Sequence, residues 1–434
     1  MDSSFLVSSY VDDAHSAEAD RRMMSAPAVS ITLINRTELA HAIHQYVFRG
    51  KLSLSEVQLA WNSFQRDCRN GIWIPTSLPE KVWETSILLG EMYGQNYGYR
   101  SGINPSMVAH LHGKIKRILE RIVLPDDALI LDIGSNDSTT LQAYPRRNYT
   151  LVGIDPTGVK FNSYYPPHIQ LIPDFFSSDK IVERFGTRKA AVITSFSMFY
   201  DLEDPLSFMR EIVDVLADDG VWVFEQSYMP TMLARNSYDT VCHEHLEYYD
   251  LKQIQWMADK VGLKIIDVEL NEINGGSFSV VAAKQSSERT QSNEVGKVLE
   301  QEKRLGLVNL EPFRAFERRV KKCRQDLLDF FDEARNQNKT VAGLGASTKG
   351  NVILQYCGIT EARMGEIGEV NTDKYGSFTP GSLIPIVPQD EVLASRPDYL
   401  VVLPWHFRSF FEQDARFKGV NLVFPLPELE IVTP

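Results

Sequence analysis

A chain of 434 residues, 43% apolar and 24% charged, has room for two or three domains with real cores and the composition of a soluble globular protein. Its net charge of −12 argues against general binding to nucleic acid or anionic membrane, yet leaves room for a phosphorylated small molecule held by local cations or backbone amides. Cys68, Cys242, Cys323 and Cys357 are too scattered for a disulfide framework or a cysteine-rich zinc site. No apolar run approaches the ~18 residues of a membrane span, and no secretory pattern opens the chain, so the cytoplasm is the expected compartment.

Residues 1–30 are polar and read as a leader. A helix is predicted over Thr37 to Phe48. A second, over Ser53 to Arg69, has apolar residues at helical spacing and a Ser53/Glu56 capping box. Met92 to Gly102 holds three tyrosines and three glycines, a loop able to lay the phenols of Tyr97 and Tyr99 along a ligand. On this fragment alone, a surface loop is the simpler reading.

Ser106 to Ile122 is amphipathic and predicts a helix. Ala128 to Gly134 is an apolar strand ending in glycine, and Ser135 to Leu141 opens a helix. Strand, tight turn and helix start make a nucleotide-binding βα unit, although the spacing is not G-x-G-x-x-G. A second strand, Tyr149 to Ile154, ends at Asp155, an acid suited to ribose hydroxyls. Further strands over 168–172, 190–195 and 220–225, with helices such as Pro205 to Leu216 between some of them, predict a mainly parallel, doubly wound sheet. Gly134, Asp155, Asp174, Ser195 and Glu225 fall at its carboxyl rim, where a ligand belongs.

Tyr238 to Tyr249 packs two histidines, three acids and three tyrosines into twelve residues with no consistent apolar face. His243, Glu244 and His245 have the chemistry of general acids, bases or metal ligands. A helix over Leu251 to Val261, a strand over Leu263 to Leu270 and a Gly275-Gly276 turn into another strand follow. Residues 286 to about 338 read as long, charged connecting helices. Thr340 to Val352 is again strand, glycine-rich turn and helix, with amides and Lys349 that could face phosphate; a purely structural βα turn fits that fragment equally well. Strand ends near Asp373 and His406 complete a second α/β domain. The expected division is 1–105, a helical N-terminal unit; 106–285, a cofactor-binding domain; and 286–434, a helical linker with the second α/β domain.

Four blocks in order resemble the sugar C-methyltransferases, which use S-adenosylmethionine (SAM) to methylate carbon 3 of nucleotide-linked 4-keto-deoxysugars. They are Asp132 to Asp137; Tyr238 to His245; Asn274 to Ser277; and Gly343 to Asn351 with Leu403-Pro404-Trp405. The resemblance runs from about Tyr93 to Pro434. It implies a class I, Rossmann-like SAM domain followed by a C-terminal α/β domain that helps grip a nucleotide diphosphate. Asp132, Gly134, Ser135, Asn136, Asp137, Asp155, Asp174 and Ser195 would surround SAM. His245 would be the base, Glu244 its neighbour, and His243 the less favoured of the two histidines. Tyr97 or Tyr99 would face the substrate, with Asn274, Lys349 and Asn351.

Three departures stand out. Ser138 replaces a glycine of the turn, and Cys242 replaces a tyrosine. Only Cys68 lies upstream of the SAM domain, so the family's four-cysteine zinc module is not expected, and no metal is. The implied partner is the sugar nucleotide, with no nucleic acid and no membrane, and homo-oligomerisation is left open. The competing readings are an inactive SAM- or nucleotide-binding module and a metal-dependent hydrolase. The latter is weakened because adjacent H-E-H lacks the i, i+4 histidine spacing of a zinc helix.

Overall fold

The computed structural model describes residues 9–10, 29–31, 39, 42–43, 46, 52–70, 73–75, 99–242 and 245–434. The expected Tyr97 loop, His243, Glu244 and most of the 37–48 helix lie outside the described residues; positions 39, 42, 43 and 46 are helical. The chain forms two compact units: Met1–Val108 with Asp155–Pro166 and Leu171–Asp174, and Ala109–Ile154 with Pro167–Gln170 and Phe175–Pro434.

In the first unit, strand β1 (Val29–Ile31) pairs in parallel with β2 (Trp73–Pro75). Helix α1 (Leu54–Arg69) carries the full capping box: Ser53 accepts the Glu56 amide, and Glu56 reaches back to the Ser53 amide. Its apolar stripe buries Val57, Ala60, Trp61 and Phe64.

The second unit is built on two sheets. After α2 (Pro105–Arg121) come β3 (Leu129–Ile133), α3 (Thr139–Gln142), β4 (Thr150–Ile154), α4 (Gly158–Phe161), β5 (Ile169–Ile172), α5 (Ser178–Phe185) and β6 (Ala190–Phe196). Then α6 (Pro205–Val215), β7 (Leu216–Ser227), α7 (Met229–Ala234), α8 (Leu251–Val261), β8 (Leu263–Asn271) and β9 (Ser277–Lys284) complete a sheet of order β5-β4-β3-β6-β7-β9-β8. β3 is flanked in parallel by β4 and β6 and is buried at every residue, which explains why it is apolar apart from Asp132. β9 enters antiparallel to both β7 and β8.

Local signals set the helix ends. Asp204 caps α6, with Pro205 in its first turn. Asp250 and Gln253 form a capping box on α8, which Gly262 closes at φ +81°. Beneath the rim, Trp222 stacks on Phe224 at 4.1 Å, and Phe199 packs edge-on against Trp222 at 5.5 Å.

Two long helices, α9 (Asn293–Leu305) and α10 (Glu311–Asn336), lead to the second sheet. There β10 (Val341–Leu344), α11 (Thr348–Cys357), β11 (Ile367–Glu369), β12 (Ile386–Pro388), α12 (Gln389–Ser395), β13 (Tyr399–Val402), α13 (Arg408–Gln413), β14 (Leu422–Phe424) and β15 (Glu430–Val432) give the order β12-β11-β10-β13-β14-β15. All its pairings are parallel except β14–β15. Among the described residues, no helix is long and apolar enough to cross a membrane.

Gly276 shows how tightly the turn into β9 is held. It sits at φ +127°, and a Cβ there would lie 2.9 Å from Thr231 Cβ and nearer still to its Cγ2. Gly276→Ala adds both backbone strain and a clash, and should lower unfolding free energy by about 2–4 kcal/mol in a urea titration.

Candidate active site

The turn after β3 has the form of a cofactor cradle. From Ala128 to Leu141 every residue is buried except Gly134. Gly134 has φ +73°, and an added Cβ would lie 3.2 Å from Met198 Cγ, so only glycine leaves this backbone open to a ligand. Its amide donates to Ile154 O at 2.9 Å, joining the turn to β4. Asp132 is buried and accepts the Thr194 hydroxyl at 2.5 Å. Asp137 accepts the Thr139 amide and hydroxyl, at 3.3 and 2.6 Å. Ser138 has φ +63°. The family glycine is therefore replaced at a left-handed position, which serine tolerates at some strain. Ser135 and Asn136 are buried alongside.

The Tyr238–Tyr249 stretch is anchored in the second sheet. Tyr238 belongs to that sheet's apolar core, with its ring 5.1 Å from Tyr356 and its hydroxyl 3.6 Å from Cys357 Sγ. Asp239 is completely buried, and its Oδ2 accepts the Trp405 indole N–H at 2.8 Å. Burial pushes the Asp239 carboxyl up; the Lys349 ammonium and the Trp405 hydrogen bond pull partly against it.

Lys349 Nζ donates to Asn274 O at 2.5 Å, and burial lowers its own pKa against the opposing charge of Asp239. Its ammonium thus has a partner within the protein, across the sequence from its own helix. The glycine-rich turn is occupied in the same way. The Ala346 amide donates to Glu369 Oε2 at 3.0 Å, and Ser347 caps α11 by accepting the Gly350 amide.

His245, partly buried, lies against Tyr200, with ring centroids 4.2 Å apart and planes inclined by 48°. Its amide donates to Cys242 O at 3.2 Å. The structure brings His245 to Tyr200 just beyond the carboxyl end of β6. Asn274 Nδ2 reaches Ser197 Oγ there, at a long 3.5 Å. Asn351 has a buried Oδ1 with no partner among the described residues.

Ser195 is fully buried and its hydroxyl accepts the Trp222 indole N–H at 2.9 Å. In the first unit, Asp155 is buried and accepts the Thr157 amide and hydroxyl, Asp174 is exposed, and Tyr99 is exposed. Among the described residues no group of three or more His, Cys, Asp or Glu could hold a metal ion.

Sequence reasoning missed two features of the rim. Tyr200 gave no signal apart from following a strand. His110 and Lys114 lie one helical turn apart on α2 and converge on Glu225, at 2.5 and 2.9 Å. Burial alone would raise the Glu225 carboxyl, but the His110 hydrogen bond and the Lys114 charge outweigh it and hold it low. The i, i+4 spacing of a histidine and a lysine facing an acid at a strand end was the available clue.

Two outcomes test this geometry. Trp405→Phe keeps the ring and removes the donor to a buried carboxylate, so it should destabilise by about 1–3 kcal/mol in denaturant titration. His406 is held neutral, its pKa lowered from 6.5 to about 3 by burial and then by the Lys349 charge. The unfolded chain takes up that proton first, so His406 contributes stability above pH 6.5 that is lost as pH falls toward about 3. Unfolding free energy should therefore fall less steeply over this window in His406→Gln than in the wild type.

Comparisons with known proteins agree with this layout. A family model described as a methyltransferase domain matches residues 107–268, and one described as a C-methyltransferase C-terminal domain matches 272–427. The C-methyltransferase NovU of Streptomyces niveus is 27% identical over 376 residues, covering 84% of this chain and 86% of that protein. Solved structures with some likeness include the Burkholderia thailandensis 1,6-didemethyltoxoflavin-N1-methyltransferase (10% identity, 48% of this chain and 92% of that one, TM-score 0.34). Another is the cyclopropane synthase MmaA2 of Mycobacterium tuberculosis (13% identity, 40% and 81%, TM-score 0.31). The two models matched in succession, with a relative aligned over most of its length, give the chain a methyltransferase domain followed by a C-methyltransferase C-terminal domain, with SAM as the methyl donor.

Proposed function

We propose that the enzyme methylates carbon 3 of a nucleotide-linked 4-keto-deoxysugar, with His245 as the base. The observation that carries the reading is the placement of His245. It sits on a loop locked into the second sheet by Tyr238 and Asp239, and rests on Tyr200 at the carboxyl edge of the SAM-type sheet. A base that must act on one carbon, beside a second ligand, needs this kind of fixed seat.

Hydrogens on a carbon next to a ketone are acidic enough for an imidazole to remove. His245 takes the carbon 3 proton and later passes it to solvent, and Glu244 is assigned to tune the imidazole. When bound, SAM supplies a sulfonium methyl that the enolate carbon takes as the carbon–sulfur bond breaks, leaving S-adenosylhomocysteine. The open Gly134 backbone is assigned to the amino-acid end of the cofactor, with Asp132 and Asp137 fixing the turn around it. Asn274 and the unpaired Oδ1 of Asn351 are assigned to the sugar nucleotide. NovU bears the name of a C-methyltransferase, which supports carbon as the acceptor.

Mass spectrometry of nucleotide-linked 4-keto-deoxysugars incubated with enzyme and SAM should show the gain of one methyl. His245→Ala should reduce the rate by about 100-fold or more while still binding SAM. Full activity in that variant would remove His245 from the role, and SAM binding without turnover on any such sugar would favour an inert binding module. Gly134→Val should weaken SAM at least about tenfold in calorimetry, because the added side chain meets Met198 and fills the cradle.

A further inference from the structure

The segment after β6 leaves the sheet through Ser197 at φ +55° and forms a short turn over Phe199–Asp201. Phe199 is completely buried, with Trp222, Phe224 and Tyr249 all within 5.6 Å of its ring. The backbone next to it is therefore fixed by the aromatic core rather than by the loop it faces.

Tyr200 uses that rigidity in two ways. Its carbonyl accepts the amides of both Leu246 and Glu247 at 3.1 Å, the two residues that follow His245. Its ring, only 8% exposed, lies against the His245 imidazole. Within the loop, the His245 amide donates to Cys242 O. The neighbouring side chains Val241 and Leu246 are 50% and 41% exposed. Tyr200 thus bears on His245 twice, through the backbone that follows it and through its ring.

We propose that Tyr200 is a positioning residue for methyl transfer: its carbonyl fixes the backbone after His245, and its ring sets the plane of the imidazole. This rests on His245 being the base. A tyrosine that only filled space would matter for folding and leave the proton-transfer step untouched. A positioning tyrosine governs how often the imidazole points at the carbon to be deprotonated.

The test uses Tyr200→Leu and Tyr200→Phe in the full chain, assayed with SAM and a nucleotide-linked 4-keto-deoxysugar. Tyr200→Leu keeps the carbonyl and loses the aromatic face. Its kcat should fall by about 10- to 100-fold, with KM for SAM and the melting temperature unchanged. Tyr200→Phe should stay within about threefold of the wild type. Should the leucine variant fold poorly, Tyr200→Met serves under the same criteria. Wild-type kcat in a well-folded leucine or methionine variant would overturn the proposal, as would an equal loss in Tyr200→Phe. The underlying reading fails separately: His245→Ala with full activity removes the base itself, whereas an inactive His245→Ala beside a fully active Tyr200→Leu removes only the positioning role.

Discussion

A buried carboxylate ties the histidine-bearing loop to the second sheet. Asp239 lies in the short turn that opens the histidine-bearing stretch, wholly shielded from water. Its compensation comes from the other sheet, through the Trp405 indole N–H and the Lys349 charge. A lone buried acid would be costly, and the nearby ammonium and indole N–H offset that cost. Lys349 in turn grips Asn274 O, in the loop that returns the chain to β9. One cluster therefore fastens the histidine-bearing loop, the Asn274 loop and α11 together.

The fastening has a functional shape. The stretch is held at its start by Tyr238 and Asp239. It is held at its end by Tyr249, whose carbonyl accepts the Met229 amide, and by the α8 cap, where buried Glu302 accepts the Leu251 and Lys252 amides. Between these anchors the side chains are more exposed, and this is where Cys242 and His245 sit. Firm ends with an open middle let a loop meet a substrate while its base keeps its bearing.

Much of this could be read from the sequence. The apolar run before Gly134 gave the central strand, because a strand buried on both faces shows no alternation. The Ser53/Glu56 and Asp250/Gln253 spacings are local, so the helix starts they mark depend on little else. The loop declared itself by crowding titratable groups where no periodicity explained them.

What escaped was non-local. Lys349 beside glycines reads as a phosphate ligand; only the fold shows Asp239 and Asn274 claiming its charge across the sequence. Ser195 lay at the correct strand end, but its side chain points under Trp222. Tyr200 looked like any residue after a strand, and its contact with His245 spans two distant segments.

The central claim is that His245 removes the proton from carbon 3 before any methyl moves. Hydrogen–deuterium exchange isolates that step: a nucleotide-linked 4-keto-deoxysugar is incubated in D2O with enzyme and S-adenosylhomocysteine, and carbon 3 is followed by NMR. The account predicts deuterium entering carbon 3 with the wild-type enzyme and no catalysed exchange with His245→Ala. Equal exchange in the two proteins would contradict it.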